Sequence, residues 1–460
     1  GMSSADIAHT IALHESGALP TEIARRLLDA VEVGDIELDP HVGDVYNNRD
    51  RLLKAEAPEA AGHLHAGRAR REASTIGWLL RCRTSVVQLG SGLSDLVATL
   101  AEVCDAHTDT VMPDFTYLHR AHPTSLGHYL LAHTWPVARH LDRTRQLLAT
   151  LDQSSPAGSG STNGTRIPLD RELLAGLLGF EAPMWHTRDS MWAPDLAIDM
   201  AALCVQVMTT IDRLVEELQL WTTEAFGFVT TADEHCRTSV IMPHKKNPYA
   251  LTHLRGATRR LTGLALGVTS STHTASGQPD NRTIAYHDVP FMLDVANESV
   301  GLLAEIISRA TFDRETLAAA AADPLMASTE ICDLLTLESG LDNRSAHRIV
   351  GRAVRAALAA DGELTVEMLH GAAQDLGVEI EVDAERLAAV SAPEALVGAR
   401  TTHGGAGAAS VHSMCASLSE RADDHRARFA DHPDHRYRQR LRAIASDAAI
   451  SLGNDREPSP

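Results

Sequence analysis

"DMAALCVQVMTTIDRLVEELQLW", residues 199–221, sets apolar side chains three and four positions apart along its whole length. That period covers about six turns of one helical stripe, which is the mark of a long helix with one face in a core. "DVPFMLDVANESVGLLAEIISRATF" (288–312) repeats the pattern, as do "SGLSDLVATLAEVCDAHTDTV" (91–111) and "HYLLAHTWPVARHLDRTRQLLATLD" (128–152). In the last of these Pro136 predicts a kink, because proline supplies no N–H to the helical ladder. Alternating β-branched runs are scarce. The chain therefore reads as all-α, built around a bundle of long helices.

Working outward, 460 residues with 44% apolar side chains suffice for a large buried core. A division into an N-terminal helical region (1–90), a central long-helix bundle (91–320) and a C-terminal helical region (321–460) is expected. A Gly/Ser-rich loop, "QSSPAGSGSTNGTRIP" (153–168), breaks the bundle, and "RTTHGGAGAAS" (400–410) breaks the C-terminal part. The tail "GNDREPSP" (453–460) reads as disordered. A formal net charge of −20 argues against nucleic acid and membrane as main partners, since both need a basic face. It leaves room for a small anionic substrate held by a few cations. Six cysteines without a CxxC pair suggest neither a disulfide framework nor thiolate metal sites, so a reducing cytoplasm is expected. No unbroken 18-residue apolar run and no signal peptide is evident, and Gly1 ahead of Met2 reads as a tag remnant.

Three segments concentrate polar groups beside turn-forming residues. "LHAGRARREAS" (64–74) crowds Arg68, Arg70 and Arg71 just after Gly67, a pattern that by itself suits a solvated basic helix face. "PDFTYLHRAHPTSLGH" (113–128) carries Thr116, Tyr117, His119, His122, Thr124 and His128 around an expected helix start near Pro123. His119 and His122 lack the HExxH spacing and a third carboxylate ligand, so no metal is expected there. "TSVIMPHKKNP" (238–248) puts Ser239, Lys245, Lys246 and Asn247 in one proline-broken loop.

In this order and at these separations the segments resemble the fumarase/aspartase superfamily of lyases, and within it the argininosuccinate lyase branch. The superfamily loop GSSxMPxKxNP is met by Ser239, Met242, Pro243, Lys245, Asn247 and Pro248. LHxGRSRND is met by residues 64–72, and THLQRAQPTxxxH by residues 116–128. The glycine loop followed by DREL matches 158–160 and 169–174, and the late Gly-Gly segment matches "HGGAGAASV" (403–411). The resemblance implies a homotetramer whose core holds about twenty helices, with each active site assembled from three subunits and no cofactor or metal. It implies removal of a proton beside a carboxylate, then loss of a nitrogen group from the neighbouring carbon, releasing fumarate. Ser239 would be the base, Lys245 and Asn247 the stabilisers of the aci-carboxylate. A serine can serve only if its alkoxide is held by backbone N–H groups and nearby cations. The loop is expected to close on substrate.

Where the chain departs from that pattern, the chemistry is expected to change. Thr238 and Val240 replace the loop's Gly and second Ser. Tyr117 and Thr252 replace both members of the family's His–Glu pair, leaving Tyr117, His119 or His122 to deliver a proton, or no acid at all. On the leaving-group side Arg71 and Glu72 stand for Asn and Asp. The stretch TYNKDLQEDK, which holds the arginine half of the substrate, becomes "PDNRTIAYHD" (279–288), with Asp280 and Ala285 in place of its Tyr and Gln and Arg282 beside them. Thr116, Tyr117, His119, Ser239, Lys245 and Asn247 are the expected catalytic residues. Arg70, Arg71, His122, Thr124 and Arg282 are the expected substrate contacts. The reading is a lyase acting on an N-substituted aspartate or succinate with a leaving group other than arginine, such as nitrosuccinate. Argininosuccinate lyase itself, a cycloisomerase of the carboxymuconate type, and a non-catalytic crystallin-like paralogue are the alternatives.

Overall fold

The computed structural model describes residues 1–31, 37–160, 162–274, 281–360 and 362–454. In chain order its elements are α1 (Met2–Glu15), α2 (Thr21–Val31), α3 (Val45–Glu56) and α4 (Arg70–Asp105). A hairpin of β1 (Val111–Thr116) and β2 (His119–Ser125) leads into α5 (Leu126–Asp152), α6 (Arg171–Leu177) and α7 (Pro194–Trp221). Next come β3 (Val229–Thr230), β4 (Arg237–Thr238), β5 (Lys246–Asn247), α8 (Tyr249–Ser271), α9 (Arg282–Ser308) and β6 (Thr311–Phe312). The chain finishes with α10 (Arg314–Ala321), α11 (Ser328–Glu338), α12 (Asn343–Ala359), α13 (Val366–Gln374), α14 (Ala384–Ser391), α15 (Pro393–Gly398), α16 (Ala408–Ala430) and α17 (Tyr437–Asn454). Asp280 and residues 455–460 of the tail lie outside the described residues. The protein is all-α apart from these short two-stranded pairings.

Helices α4, α5, α7, α8 and α9 pack side by side into the bundle. Their apolar stripes meet inside it: Leu89, Leu93, Leu96 and Leu100 of α4, Met200, Val207 and Leu214 of α7, and Met292, Val300 and Leu303 of α9 are all buried. α4 and α7 are long and apolar enough to cross a membrane by length and composition. Their apolar faces are instead covered by neighbouring helices, as in the core of a helical protein. Pro136 lies inside α5 and Pro290 inside α9.

The three-part division stays a proposal. α4 runs unbroken through residue 90, and α16 packs on α4 and α5. A separate apolar cluster forms between 327 and 396, with Ile331, Leu335, Ile349 and Leu369 at its centre.

The connectivity sorts the polar segments into two groups. α4, α7 and α9 each start at one end of the bundle, and α5 and α8 return to it. One end therefore carries the start of α4, the glycine loop after α5 and the start of α9. The other carries the β1–β2 hairpin and the 238–247 loop. At about 1.5 Å per residue, the 36 residues of α4 span roughly 54 Å between these ends.

Candidate active site

The 238–247 loop is a hairpin. Arg237 pairs with Asn247 and Thr238 with Lys246, while Ser239 N donates to Lys245 O at 3.3 Å and Lys245 N to Met242 O at 2.9 Å. These bonds turn the Ser239 side chain back over its own loop, and its Oγ accepts the Met242 N–H at 3.1 Å. One backbone donor thus already faces the oxygen that would carry alkoxide charge. The two lysines differ. Lys246 is committed, to Asp233 at 2.5 Å and to Thr231 O at 2.8 Å. Lys245 is exposed, and no hydrogen bond or ion pair holds its ammonium among the described residues. Asn247 Nδ2 donates to Arg237 O at 3.1 Å, which closes the hairpin with one of its two N–H groups. Val240 and Ile241 project fully into solvent.

Residues 111–125 hold one element that the sequence reading lacked: β1 and β2 form a hairpin, and α5 starts just after it at Leu126, near Pro123 as expected, capped by Ser125 Oγ. The β-branched Thr116 and Thr124 and the proline favour an extended chain there, and the helical period starts only after them. Thr116 pairs with His119 across a two-residue turn whose central residues, Tyr117 and Leu118, both have positive φ (54° and 62°). Such a turn is usually made with Asn or Gly, so two bulky residues there store backbone strain at an exposed tip. Tyr117 is 98% exposed. His119 is exposed beside it, while Ala121 and His122 together face Asp114 across a bulge. Thr124 is buried, its hydroxyl 3.1 Å from His128 Nδ1. His128 Nε2 in turn meets Gly404 O at 3.1 Å, which draws the late glycine segment to the same end.

The arginine-rich segment divides sharply. Arg68 is buried rather than solvated, and it shares the buried Asp6 carboxylate with Arg49. Arg70, half exposed, leans toward Asn47 and Asp44. Arg71 begins the inward face of α4, and its guanidinium makes no hydrogen bond or ion pair among the described residues. Glu72 turns away from any leaving-group pocket. It is buried and accepts Gly158 N at 2.7 Å, Gly160 N at 2.9 Å and the Ser159 hydroxyl at 3.3 Å. Burial pushes its carboxyl above the ordinary range, against the pull of Arg68 and of these N–H donors. So Glu72 clamps the glycine loop, whose Gly158 and Gly160 adopt φ of 73° and 72°.

At the start of α9, Arg282 lies over the Tyr286 ring at 5.5 Å. Burial pushes the Tyr286 phenol up, while a 2.6 Å contact with Thr75 Oγ1, Arg282 and Arg71 oppose it. Thr75, one turn after Arg71, thus meets the tyrosine over which Arg282 lies, although 211 positions separate the two arginines in sequence. Ala285 is fully buried and offers nothing to a ligand.

Within one chain, then, Arg70, Arg71 and Arg282 gather at one end of the bundle, and Thr116, Tyr117, His119, His122, Thr124, Ser239, Lys245 and Asn247 at the other. Sequence reasoning missed the Glu72 clamp and the Asp6 network, since both join segments far apart in the chain. It also missed Trp78, which stacks on Tyr286 with centroids 4.8 Å apart and planes 12° off parallel. A helix face running Arg71, Thr75, Trp78 was the available signal.

A family model described as "Lyase" matches residues 22–263. Among curated relatives, the argininosuccinate lyase of Methanoculleus marisnigri is 35% identical over 431 residues, covering 90% of this chain and 85% of its own. Argininosuccinate lyase 1 of Mesorhizobium japonicum is 31% identical over 422 residues, covering 89% and 88%. Among solved structures, an EDDS lyase in complex with formate superposes with a TM-score of 0.88 at 24% identity, covering 98% of this chain and 91% of the other. The 3-carboxy-cis,cis-muconate lactonizing enzyme of Pseudomonas putida gives 0.72 at 20%, covering 93% and 94%. At those identities the two structures speak for the fold alone.

Proposed function

The chain belongs to the lyase family, in the argininosuccinate lyase branch of the fumarase/aspartase superfamily, and on that premise we propose a substrate other than argininosuccinate for this fumarate-releasing carbon–nitrogen lyase. The substrate is a succinate bearing a nitrogen group that departs as a stabilised anion, with nitrosuccinate as the smallest case. The observation that carries this reading is the guanidinium of Arg71, uncommitted among the described residues, one turn before Thr75, whose hydroxyl meets the Tyr286 over which Arg282 lies. Two guanidinium groups at the leaving-group end suit a nitro or carboxylate group of the bound substrate and repel the guanidinium of argininosuccinate.

The reaction follows from the residues at the other end. Ser239 takes the proton from the carbon next to the carboxylate, and the electron pair moves into that carboxylate. Lys245, the loop's uncommitted cation, and the second N–H of Asn247 stabilise the resulting aci-carboxylate. The pair then returns to form the C=C bond of fumarate as the carbon–nitrogen bond breaks and the nitrogen group leaves with its electrons. If that group is already a stable anion, no acid is needed, which fits Tyr117 and Thr252 in place of the His–Glu pair. Tyr117, His119 and His122 are the candidates for any proton that is delivered, and Thr116 and Thr124 for holding the succinate end. The roughly 54 Å between the two ends supports sites that draw on different copies of the chain, and we propose a homotetramer.

A panel of N-substituted aspartates with nitrosuccinate and argininosuccinate, followed by the ultraviolet absorbance of fumarate, tests the reading. Turnover of nitrosuccinate or another anion-releasing adduct well above argininosuccinate is expected. Efficient cleavage of argininosuccinate with none of the others would overturn it.

A further inference from the structure

The loop that carries Ser239 has two adjacent lysines, and the fold uses them differently. Lys246 pairs with Thr238, and the Ser239 N–H to Lys245 O bond carries the ladder one residue further, so both lysines sit on the same extended arm. Successive side chains of such an arm leave on opposite faces. Lys246 turns back to the stem of the loop, where its ammonium meets Thr231 O at 2.8 Å and the Asp233 carboxylate at 2.5 Å. Lys245 is left without a partner among the described residues. A slip of one residue in the pairing would exchange the two faces, and with them the two lysines.

The hairpin is too short to guard against that slip by itself. β4 and β5 pair at two positions, and a two-stranded ribbon of that size is marginal in water. Residues 240–246 are exposed, so no core holds them. The stem is the fixed part. Val229 and Thr231 are buried, and Val229 and Thr230 pair with Phe312 and Thr311 just beyond α9. Asn247 Nδ2 reaches Arg237 O at 3.1 Å, but that bond joins the two arms of the hairpin to each other. Arg237 lies over the Tyr249 ring at 3.5 Å, and a ring face offers no fixed register. Lys246 instead ties the second arm to the anchored stem. The Asp233 carboxylate is 92% exposed, so its ion pair alone adds little in water. The bond to the carbonyl of buried Thr231 sets the distance.

We infer that Lys246 is a positioning residue that locks the register of this loop: by holding Thr231 and Asp233 it keeps Lys245, and not itself, on the face used with Ser239. The inference rests on the proposed lyase reading in calling that face the substrate's, whereas the lock itself is a property of the loop. Three bonds follow from the locked register. Ser239 N donates to Lys245 O at 3.3 Å, Lys245 N to Met242 O at 2.9 Å, and Met242 N to Ser239 Oγ at 3.1 Å. Released from the stem, the base would lose the N–H that faces it and the counter-ion would drift from its place. A misplacement of about 1 Å in such a pair costs rate more than affinity, because the base acts only in the transition state.

Hydrogen–deuterium exchange of the full chain as purified reads the lock directly. The Ser239, Met242 and Lys245 amides should be protected in the wild type and exchange at least about tenfold faster in Lys246→Met. Lys246→Arg keeps the charge and the N–H donors and should restore the protection. Asp233→Asn leaves the Thr231 bond and should speed exchange by less than about threefold. On the adduct panel Lys246→Met should lose at least about tenfold in kcat with KM within about threefold, and Lys246→Arg should recover most of the loss. The thermal midpoint should stay put, since Lys246 lies outside the core. Should Lys246→Met not fold, Lys246→Gln carries the same test. Unchanged exchange in the variant overturns the inference, and so does faster exchange with wild-type kcat. If no protein turns over any adduct, the lyase reading fails and the exchange rates alone decide the lock.

Discussion

Arg71 opens the uninterrupted helix α4, and Thr116 lies in the β1–β2 hairpin beyond its far end, so the whole length of α4 separates them within one chain. The proposed site, which needs both, is therefore one shared between copies. Mixing Ser239→Ala, inactive alone, with Arg71→Ala, weakened at low substrate, and reassembling the subunits should therefore raise low-substrate activity above that of either part. Random equal mixing gives roughly a quarter of sites both intact segments. Light scattering would accompany the assay. A fully active monomer, or a mixture no better than its parts, defeats the shared-site arrangement.

Ser239→Ala should abolish fumarate release while leaving the fold intact. Among the described residues its hydroxyl accepts only the Met242 N–H, on a loop open to solvent that can replace the lost acceptor. Removing a base that acts in the transition state should cost at least about a thousandfold in kcat. Circular dichroism checks the fold. Turnover within tenfold of wild type would move the base elsewhere.

Glu72→Ala should instead strike stability. The carboxylate is the shared acceptor for two backbone N–H groups and one hydroxyl in a buried place, and alanine leaves all three unpaired. A loss of about 3 kcal/mol or more in denaturant unfolding is expected at about 1 kcal/mol per stranded group. Glu72→Gln, which keeps one acceptor oxygen, should lose less. Equal stability of all three proteins would mean that the glycine loop is held by something else.

The long helices were legible because a bundle helix must repeat its apolar residues every three or four positions, and α7 and α9 do so without interruption. The 238–247 loop stood out because a hydroxyl, an ammonium and an amide lie within nine residues of one another, and the proposed catalytic roles rest on that grouping. The β1–β2 hairpin was not. Its turn residues, Tyr117 and Leu118, carry none of the Asn or Gly signal that a positive φ normally demands. Arg68 was misread for a related reason. A triplet of arginines looks solvated until Asp6, 62 positions away, is folded against it.

Arg71→Asn returns the uncharged residue that the branch keeps at this position, and it tests which leaving group the site accepts. In the wild type the guanidinium has no carboxylate of its own to neutralise it among the described residues, so its charge is available to a substrate. With an anion-releasing adduct, losing it should raise KM about tenfold or more with a smaller change in kcat, as for a group that binds ground and transition states alike. With argininosuccinate the sign reverses. The wild type should cleave it poorly, and Arg71→Asn should cleave it better by removing the like charge, the gain shrinking as salt screens the repulsion. Steady-state kinetics at two ionic strengths read both effects. Equal rates on argininosuccinate for the two proteins, at any salt, would show that Arg71 does not face the leaving group.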